Sequence, residues 1–507
     1  MRNVLSLILP LLIFIQGYSQ KKIFTYADEK NISSYPFPRS SAILMEPNNA
    51  FIYTQAEKDR ISRFLWSNNN TTKLVEQRSS TAFLNDGFRK YSIVDEKLVR
   101  MYWRNPVVGG LYKNRQIIEI IRDKKKGDFY FLKTDLQSGV TEFTDSIQTS
   151  FSEKIIYCLT KPDRLYLFTT RTNSDELVIY TKTIDGTLTK NVRTITFRDL
   201  GIKATDETIK GNHFSDIFRK DEFAVYENNQ RYPAVVNSFS SKIYCLTDKV
   251  VFMMNTDSNV CTLVFDLKDL GYTIKKFSRI SDSTIAIKPS ATSSHIFNDK
   301  LVSCDLINET LLLNIFDFHS GERIKSIKIN KDNVEGMAVE SVQKTGSFLS
   351  KSDVKSEGFS KFIGTAKNNS LWISCYEENQ NIYISLAAPY KQIINGSTLF
   401  NIAATAAGTY GINALPNRWG YLVYAYKGAQ TSTYVGFDVS LNSSSFSPTK
   451  QAANYSVWDQ LAGFVDAHPE HGNDRLFFYM NGTFYLSDYL PYTNTYSIYS
   501  FDQNGVN

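Results

Sequence analysis

The sequence predicts an all-β chain, a ring of about seven four-stranded antiparallel sheets, with six or eight tolerable. Three observations predict it. Strand-like runs close repeatedly on an aspartate: Asp135 in "FLKTDLQSG", Asp185 in "VIYTKTIDG", Asp266 in "LVFDLKDLG", Asp317 in "NIFDFHSG", Asp438 in "VGFDVSLN" and Asp502 in "YSFDQNG". Two segments echo each other, "IIYCLTKPDRLYLFTT" (155–170) and "KIYCLTDKVVFMMNT" (242–256), each a strand, a turn and a second strand. Of the 507 residues 14% are aromatic, with 30 Tyr and 34 Phe, and these side chains fit the pleated surface of a sheet better than a helix.

The aspartate phrase is a turn device. An Asp carboxylate folds back onto backbone N–H groups just ahead of it, and glycine accepts the positive φ that a reversal needs. The six aspartates are therefore read as structural corners and not as acids. Their spacings are 50, 81, 51, 121 and 64 residues. Two match one four-stranded unit. The gap of 81 implies a unit plus an insertion near 201–222, the most helix-tolerant part of the chain. The gap of 121 implies two units, one containing "LWISCYEENQNIYISLAA" (371–388).

The remaining elements follow in order. "SAILMEPNNAFIYTQ" (41–55) and "RFLW" (63–66) open the first unit. The Ser- and Lys-rich stretch 338–361 reads as a long polar loop. "NIAATAAGTYG" (401–411) has the small side chains that an innermost strand demands. "RLFFYMNGTFYLSDY" (475–489) is a hairpin on Asn481-Gly482, a type I′ pair. In a closed ring the final strand is expected to pair near Ala42–Tyr53.

Hairpins of this kind must stack on neighbours to bury both faces, and a ring of four-stranded blades does so while leaving only short edges. The chain thus resembles a β-propeller, and its Asp-x-x-x-Gly phrase resembles that of quinoprotein-like and related bacterial propeller repeats. No complete WD40, kelch or tryptophan-docking signature is present. A pair of β-sandwiches is the alternative architecture.

The first residues combine Arg2, an apolar run Val4–Ile15 and small residues at Gly17–Ser19. That pattern is a secretory signal, read as residues 1–19, leaving one domain over 20–507. The leader resembles those of exported proteins of Gram-negative bacteria, and the expected location is periplasmic or secreted. The cleavage point has no lipoprotein cysteine, and no membrane insertion is expected after removal. Hydrophobic residues at 42% supply a full core, and 21% charged residues argue against disorder. The net charge of +6 becomes +5 without Arg2, and Lys124–Lys126 is the one basic cluster noted, at a hairpin tip, so no nucleic-acid partner is expected. Cys158, Cys245, Cys261, Cys304 and Cys375 are odd in number and lie in apolar runs. They read as buried thiols, with one disulfide left open.

Chemistry is sparse. "DAHPEHGND" (466–474) groups Asp466, His468, Glu470 and His471, weak metal candidates whose spacing matches no closed site. There is no nucleophile elbow and no phosphate-cradling loop, and no cofactor or catalytic residue is assigned. Two loops, "RMYWRNPVVGGLY" (100–112) and "ALPNRWGYLVYAYKG" (414–428), offer Trp103, Arg104, Arg418, Trp419 and Tyr421 as binding candidates, since aromatics and Arg dominate contact energies. The expected function is an exported, non-enzymatic platform for an envelope protein or glycan. The alternative is a carbohydrate-active hydrolase or lyase working at the ring's central opening.

Overall fold

A computed structural model describes residues 21–27, 39–45, 50–57, 60–67, 70–79, 92–105, 107–123, 125–149, 153–203, 209, 211–218, 223–236, 241–279, 288–345, 348–352, 355–389, 434–454, 456–468, 475–490 and 495–502.

The described strands form seven sheets. Blades 1 to 5 begin on inner strands Arg39–Met45, Val107–Lys113, Glu153–Thr160, Ser241–Cys245 and Ala291–Phe297; blades 6 and 7 begin on Trp372–Glu378 and Leu476–Met480. In blades 2, 3 and 5 four antiparallel strands follow one another outward, and the other sheets add strands from elsewhere in the chain or a parallel pair. The described contacts link successive blades. Blade 1 meets blade 2 through Arg63 and Glu119, and blade 2 meets blade 3 where Thr160 Oγ1 donates to the Gly110 carbonyl at 2.8 Å. Blade 3 meets blade 4 where Tyr166 donates to the Leu267 carbonyl, 2.6 Å. Arg279 and Asp305 join blade 5 to the strand end of blade 4, and Lys300 and Glu377 join blades 5 and 6. Trp372 and Ala387 of blade 6 share one core with Phe477 and Phe484 of blade 7. Blade 7 returns to blade 1 through Phe51 on Phe478, ring centroids 4.8 Å apart. The chain is a β-propeller, and its described residues form seven blades.

Several blades are tied by a corner. Asp135 Oδ1 accepts from the Gln137 and Ser138 amides at 2.9 and 2.8 Å, and Gly139, at φ 72°, donates to the Asp135 carbonyl. Asp317 repeats this geometry with Ser320 and Gly321 (φ 79°). At Asp266 the left-handed residue is Leu270, φ 58°, which drives its side chain into the core between blades 3 and 4. The residue after the corner then donates to the preceding hairpin of the same blade: Leu136 to Arg115, Leu267 to Asp248, Phe318 to Asp299. A corner therefore locks two turns together, and cations of the previous blade seize its carbonyls. Arg193 of blade 3 reaches Leu270, and Lys275 of blade 4 reaches Phe318 and His319.

Three expectations are corrected. Asp438 is no corner: it lies within the strand Tyr434–Asn442, bonded to Ser385. The turn falls four residues later, where Asn442 Oδ1 accepts from Ser444 and Ser445 and Phe446 adopts φ 54°. Asn supplies the same side-chain oxygen without a charge, so the corner survives without the aspartate. Asp502 ends the last described strand, Thr495–Asp502, and whatever follows it lies outside the described residues. The stretch 338–361 is not a loop. Ala338–Thr345 and Phe348–Ser352 complete the outer side of blade 6, and the helix Ser356–Asn368 buries Phe359, Phe362, Ile363 and Ala366 on one stripe. The ring is not sealed near Ala42–Tyr53, which stays within blade 1. Lys21–Ala27 pairs antiparallel with Thr495–Asp502 and becomes the outer strand of blade 7. The segment 401–411 lies outside the described residues. Short helical turns, Phe197–Leu200 and Phe214–Phe218, occupy the insertion after blade 3.

Candidate functional site

Blade 4 carries one strand too many. Phe223–Glu227 runs parallel to the inner strand Ser241–Cys245 and so lies on its axial side. From there the chain crosses the front of blade 5 toward blade 6. Asn229, at φ 52°, offers its side-chain amide as a one-residue strand: Oδ1 accepts from the Glu377 amide at 2.7 Å and Nδ2 donates to the Glu377 carbonyl at 3.0 Å. Arg231 pairs with Glu378 and stands 5.6 Å over the Tyr376 ring. The helix Ser456–Ala467 closes from the other side, with Trp458 Nε1 donating to the Arg231 carbonyl at 2.9 Å. Tyr226, Tyr232, Val236, Trp458 and Phe464 share one core with Ile296 of blade 5 and Phe477 of blade 7. This half of the axis is filled by the chain's own aromatics.

The plug seals a set of ionisable groups. Lys242 and Tyr244 alternate onto the same face of blade 4 and meet blade 5. Lys242 is 1% exposed, and Nζ donates to the Ser294 carbonyl at 2.6 Å. Burial, with the like charge of Arg279 opposed by Cys375, pushes its ammonium down to about 7. His295 Nδ1 lies 3.1 Å from the Tyr244 hydroxyl, and burial beside Lys242 holds the ring well below its ordinary pKa, so it stays neutral. Burial raises the Tyr244 phenol well above its usual range. The Arg279 guanidinium, behind this set, is satisfied by Asp305, Asn255 and the Thr256 carbonyl. A lysine half neutral at pH 7 could act as a base or nucleophile, but here it is walled in by packed rings.

A second network lies between blades 1 and 2. Arg63 donates to Glu119 Oε2 at 2.7 Å, to Tyr102 at 3.0 Å and to Gln77 at 2.7 Å, all fully buried. Tyr102 also donates to Glu119 Oε2, 2.5 Å, and burial beside that carboxylate raises the phenol. Gln77 passes the connection to the Gly139 carbonyl of a corner. This is a joint: Arg63 and Gln77 of blade 1 reach Glu119 and Gly139 of blade 2.

Most of the sequence-derived binding and metal candidates fall outside the described residues. Trp103 and Arg104 lie on the helix Glu96–Arg104 between blades 1 and 2, with side chains outside the described set. Arg418, Trp419 and Tyr421 lie outside the described residues, as do Glu470 and His471. Asp466 belongs to the helix Ser456–Ala467, and His468 finishes it: Nδ1 lies 2.9 Å from the Phe464 carbonyl and the ring stacks 4.2 Å from Phe464. Among the described residues no group of three or more His, Cys, Asp or Glu could hold a metal ion. All five cysteines are free thiols. Sequence reasoning missed Lys242, although its signal was visible: a lysine on the same face of an apolar strand as Tyr244.

No family model and no curated protein matches this sequence. Among solved structures the chain is similar to the WD40 domain of SCAP from fission yeast, 9% identical over 96% of this chain and 98% of that one, TM-score 0.28. It is also similar to an oligogalacturonate lyase in complex with manganese (7%, 96% and 97%, 0.30) and to the β-propeller domain of the Trilobed protease from Pyrococcus furiosus (7%, 70% and 79%, 0.27). Likenesses this distant carry no argument about function. The propeller assignment rests on the seven sheets and the contacts between them.

Proposed function

We propose that the chain is an exported, non-catalytic binding platform whose ligand is a protein or glycan of the cell envelope. The observation that supports it is the axial plug. A hydrolase or lyase working through the central opening needs carboxylates or histidines that meet water there. In the half built by blades 4 to 7, Tyr226, Tyr232, Trp458, His295 and Lys242 are packed on one another and cut off from solvent. That turns recognition toward the faces, the perimeter and the blade 1 to 3 side of the opening, a role in which the scaffold supplies shape and the surface supplies specificity. Export is supported by the leader and by the position of the sealing strand, which begins at Lys21, just beyond the expected cleavage point.

The test is retrieval. Tagged mature protein is incubated with the envelope fraction of its own cells and, in parallel, with a glycan array; N-terminal sequencing of the exported protein should begin at Gln20. Capture of one envelope component supports the proposal. Turnover of a polysaccharide without stable capture, or retention of the leader in the cytoplasm, overturns it.

A further inference from the structure

We infer that the perimeter of blades 3, 4 and 5 is a docking belt for a linear acidic polysaccharide, an inference that rests on the platform reading above and narrows it. The outer strands of these three neighbouring blades are Leu188–Thr194, Tyr272–Ser278 and Arg323–Ile329. The first carries Lys190 and Arg193, the second Lys275 and Lys276, the third Arg323, Lys325 and Lys328; none carries a carboxylate. Each also holds one exposed large hydrophobic residue, Val192, Tyr272 and Ile324 in turn.

Charges on an outer strand have a ready structural explanation, since they stop sheets from pairing edge to edge. That protection requires charge but is indifferent to sign. Blade 2 uses Glu142 and Asp145 on its outer strand, and blade 1 mixes Lys73 and Arg78 with Glu76. One sign over three consecutive blades needs a further reason. The cations also divide by role. Arg193, Lys275 and Arg323 bond carbonyls of the corners and strands beside them and act as rivets. Lys190, Lys276, Lys325 and Lys328 are exposed. Among the acids near the belt, Asp185, Asp266 and Asp317 turn an oxygen onto their own backbone amides, Asp199 closes a capping box and also lies near Lys276, and Glu322 stands exposed beside Arg323.

The geometry selects the occupant. The belt follows a convex perimeter, which a flat bilayer would meet at one blade at a time. Duplex DNA, with a persistence length of about 50 nm, does not bend around a single domain without cost. A flexible chain of uronate sugars can follow the curve, set a carboxylate at each lysine and lay a sugar face on Tyr272.

The experiment uses the full mature protein with alginate and hyaluronate as probes, dextran as the uncharged control, and phosphatidylglycerol vesicles and duplex DNA as competing classes. Binding to at least one polyuronate but not to dextran is expected, weakening as salt rises because counterions are released. The variant Lys190→Gln/Lys276→Gln/Lys325→Gln/Lys328→Gln should lose on the order of tenfold or more in affinity and flatten the salt dependence. Lys125→Gln/Lys126→Gln, on the blade 2 hairpin, should leave both unchanged; equal melting temperatures show that both variants fold. No binding to either acidic glycan, an equal loss in the hairpin variant, or tighter binding to vesicles or DNA overturns the belt. Capture of an envelope protein or neutral glycan by a protein that ignores both polyuronates ends this inference and leaves the platform reading standing.

Discussion

Lys242 gives the most exacting test of the plug. An ordinary lysine titrates at about 10.5 and this one is held at about 7, so between those values the unfolded chain binds a proton that the native chain refuses. Stability therefore rises with pH across this window, and below pH 7 the native state carries the whole cost of a buried ammonium. From the two pKa values the deficit is about 5 kcal/mol at pH 6, about 4 at pH 7, about 2 at pH 9 and under 1 at pH 10. Lys242→Met keeps the length of the side chain and removes the charge; its loss is one hydrogen bond to Ser294, worth about 1 kcal/mol. The variant should be more stable than the parent by about 3 kcal/mol at pH 7, and its advantage should vanish near pH 10. Urea unfolding followed by tryptophan fluorescence at pH 6, 7, 8, 9 and 10 measures it, because Trp66, Trp372 and Trp458 are all buried. Taking the difference between the two proteins at each pH cancels the cysteines and tyrosines. A gap that does not change with pH, or a variant weaker at pH 7, would refute the sealed, unpaired lysine.

Other expectations follow from the same physics. Glu119→Ala should cost about 3–5 kcal/mol by stranding Arg63 in the wall between blades 1 and 2, and Arg63→Met/Glu119→Leu should recover most of it; chemical denaturation of the two variants decides. Gly321→Ala should cost about 1 kcal/mol from backbone strain alone, since φ is 79° and a Cβ there meets nothing within 4 Å. Phe24→Ala should cost about 3 kcal/mol by emptying the contact of the sealing strand with Tyr53 and Phe64. Burial pushes the thiol of Cys261 up to about 12 and raises those of Cys304 and Cys375, so a thiol reagent at pH 7 should react with none of these three until urea is added. The corner carboxylates Asp135, Asp185 and Asp317 sit below the ordinary carboxylate range, with backbone amides and neighbouring hydroxyls as the cause. Their contribution is present above about pH 4 and lost as pH falls below it, which an acid titration of the melting temperature will register.

The propeller was legible because its corners are local chemistry. Asp135, Asp266 and Asp317 bond amides two or three residues ahead, and that reach lies inside a sequence window. The same locality misled at Asp438, where the phrase sits in mid-strand and an asparagine with Phe446 in the left-handed region does the turning. The helix Ser356–Asn368 was hidden by its serines and lysines, although Phe359, Phe362, Ile363 and Ala366 have helical spacing. Arg63 and Glu119 are 56 residues apart, and Asn229 meets Glu377 across 148. No pattern in the chain announces such meetings. The sealing strand was missed because its partner, Ser500, lies 479 positions from Lys21.

That distant pairing sets how the disc comes apart and together. Lys21 faces Ser500 and Ala27 faces Thr495, so both free ends leave from the same side of one seam. Tension applied between the termini peels the seam one residue pair at a time, as a zip opens, and never loads all its bonds at once. The buckle is thus the element such a pull loads first, and it cannot fasten until Lys21–Ala27 and Thr495–Asp502 have both arrived.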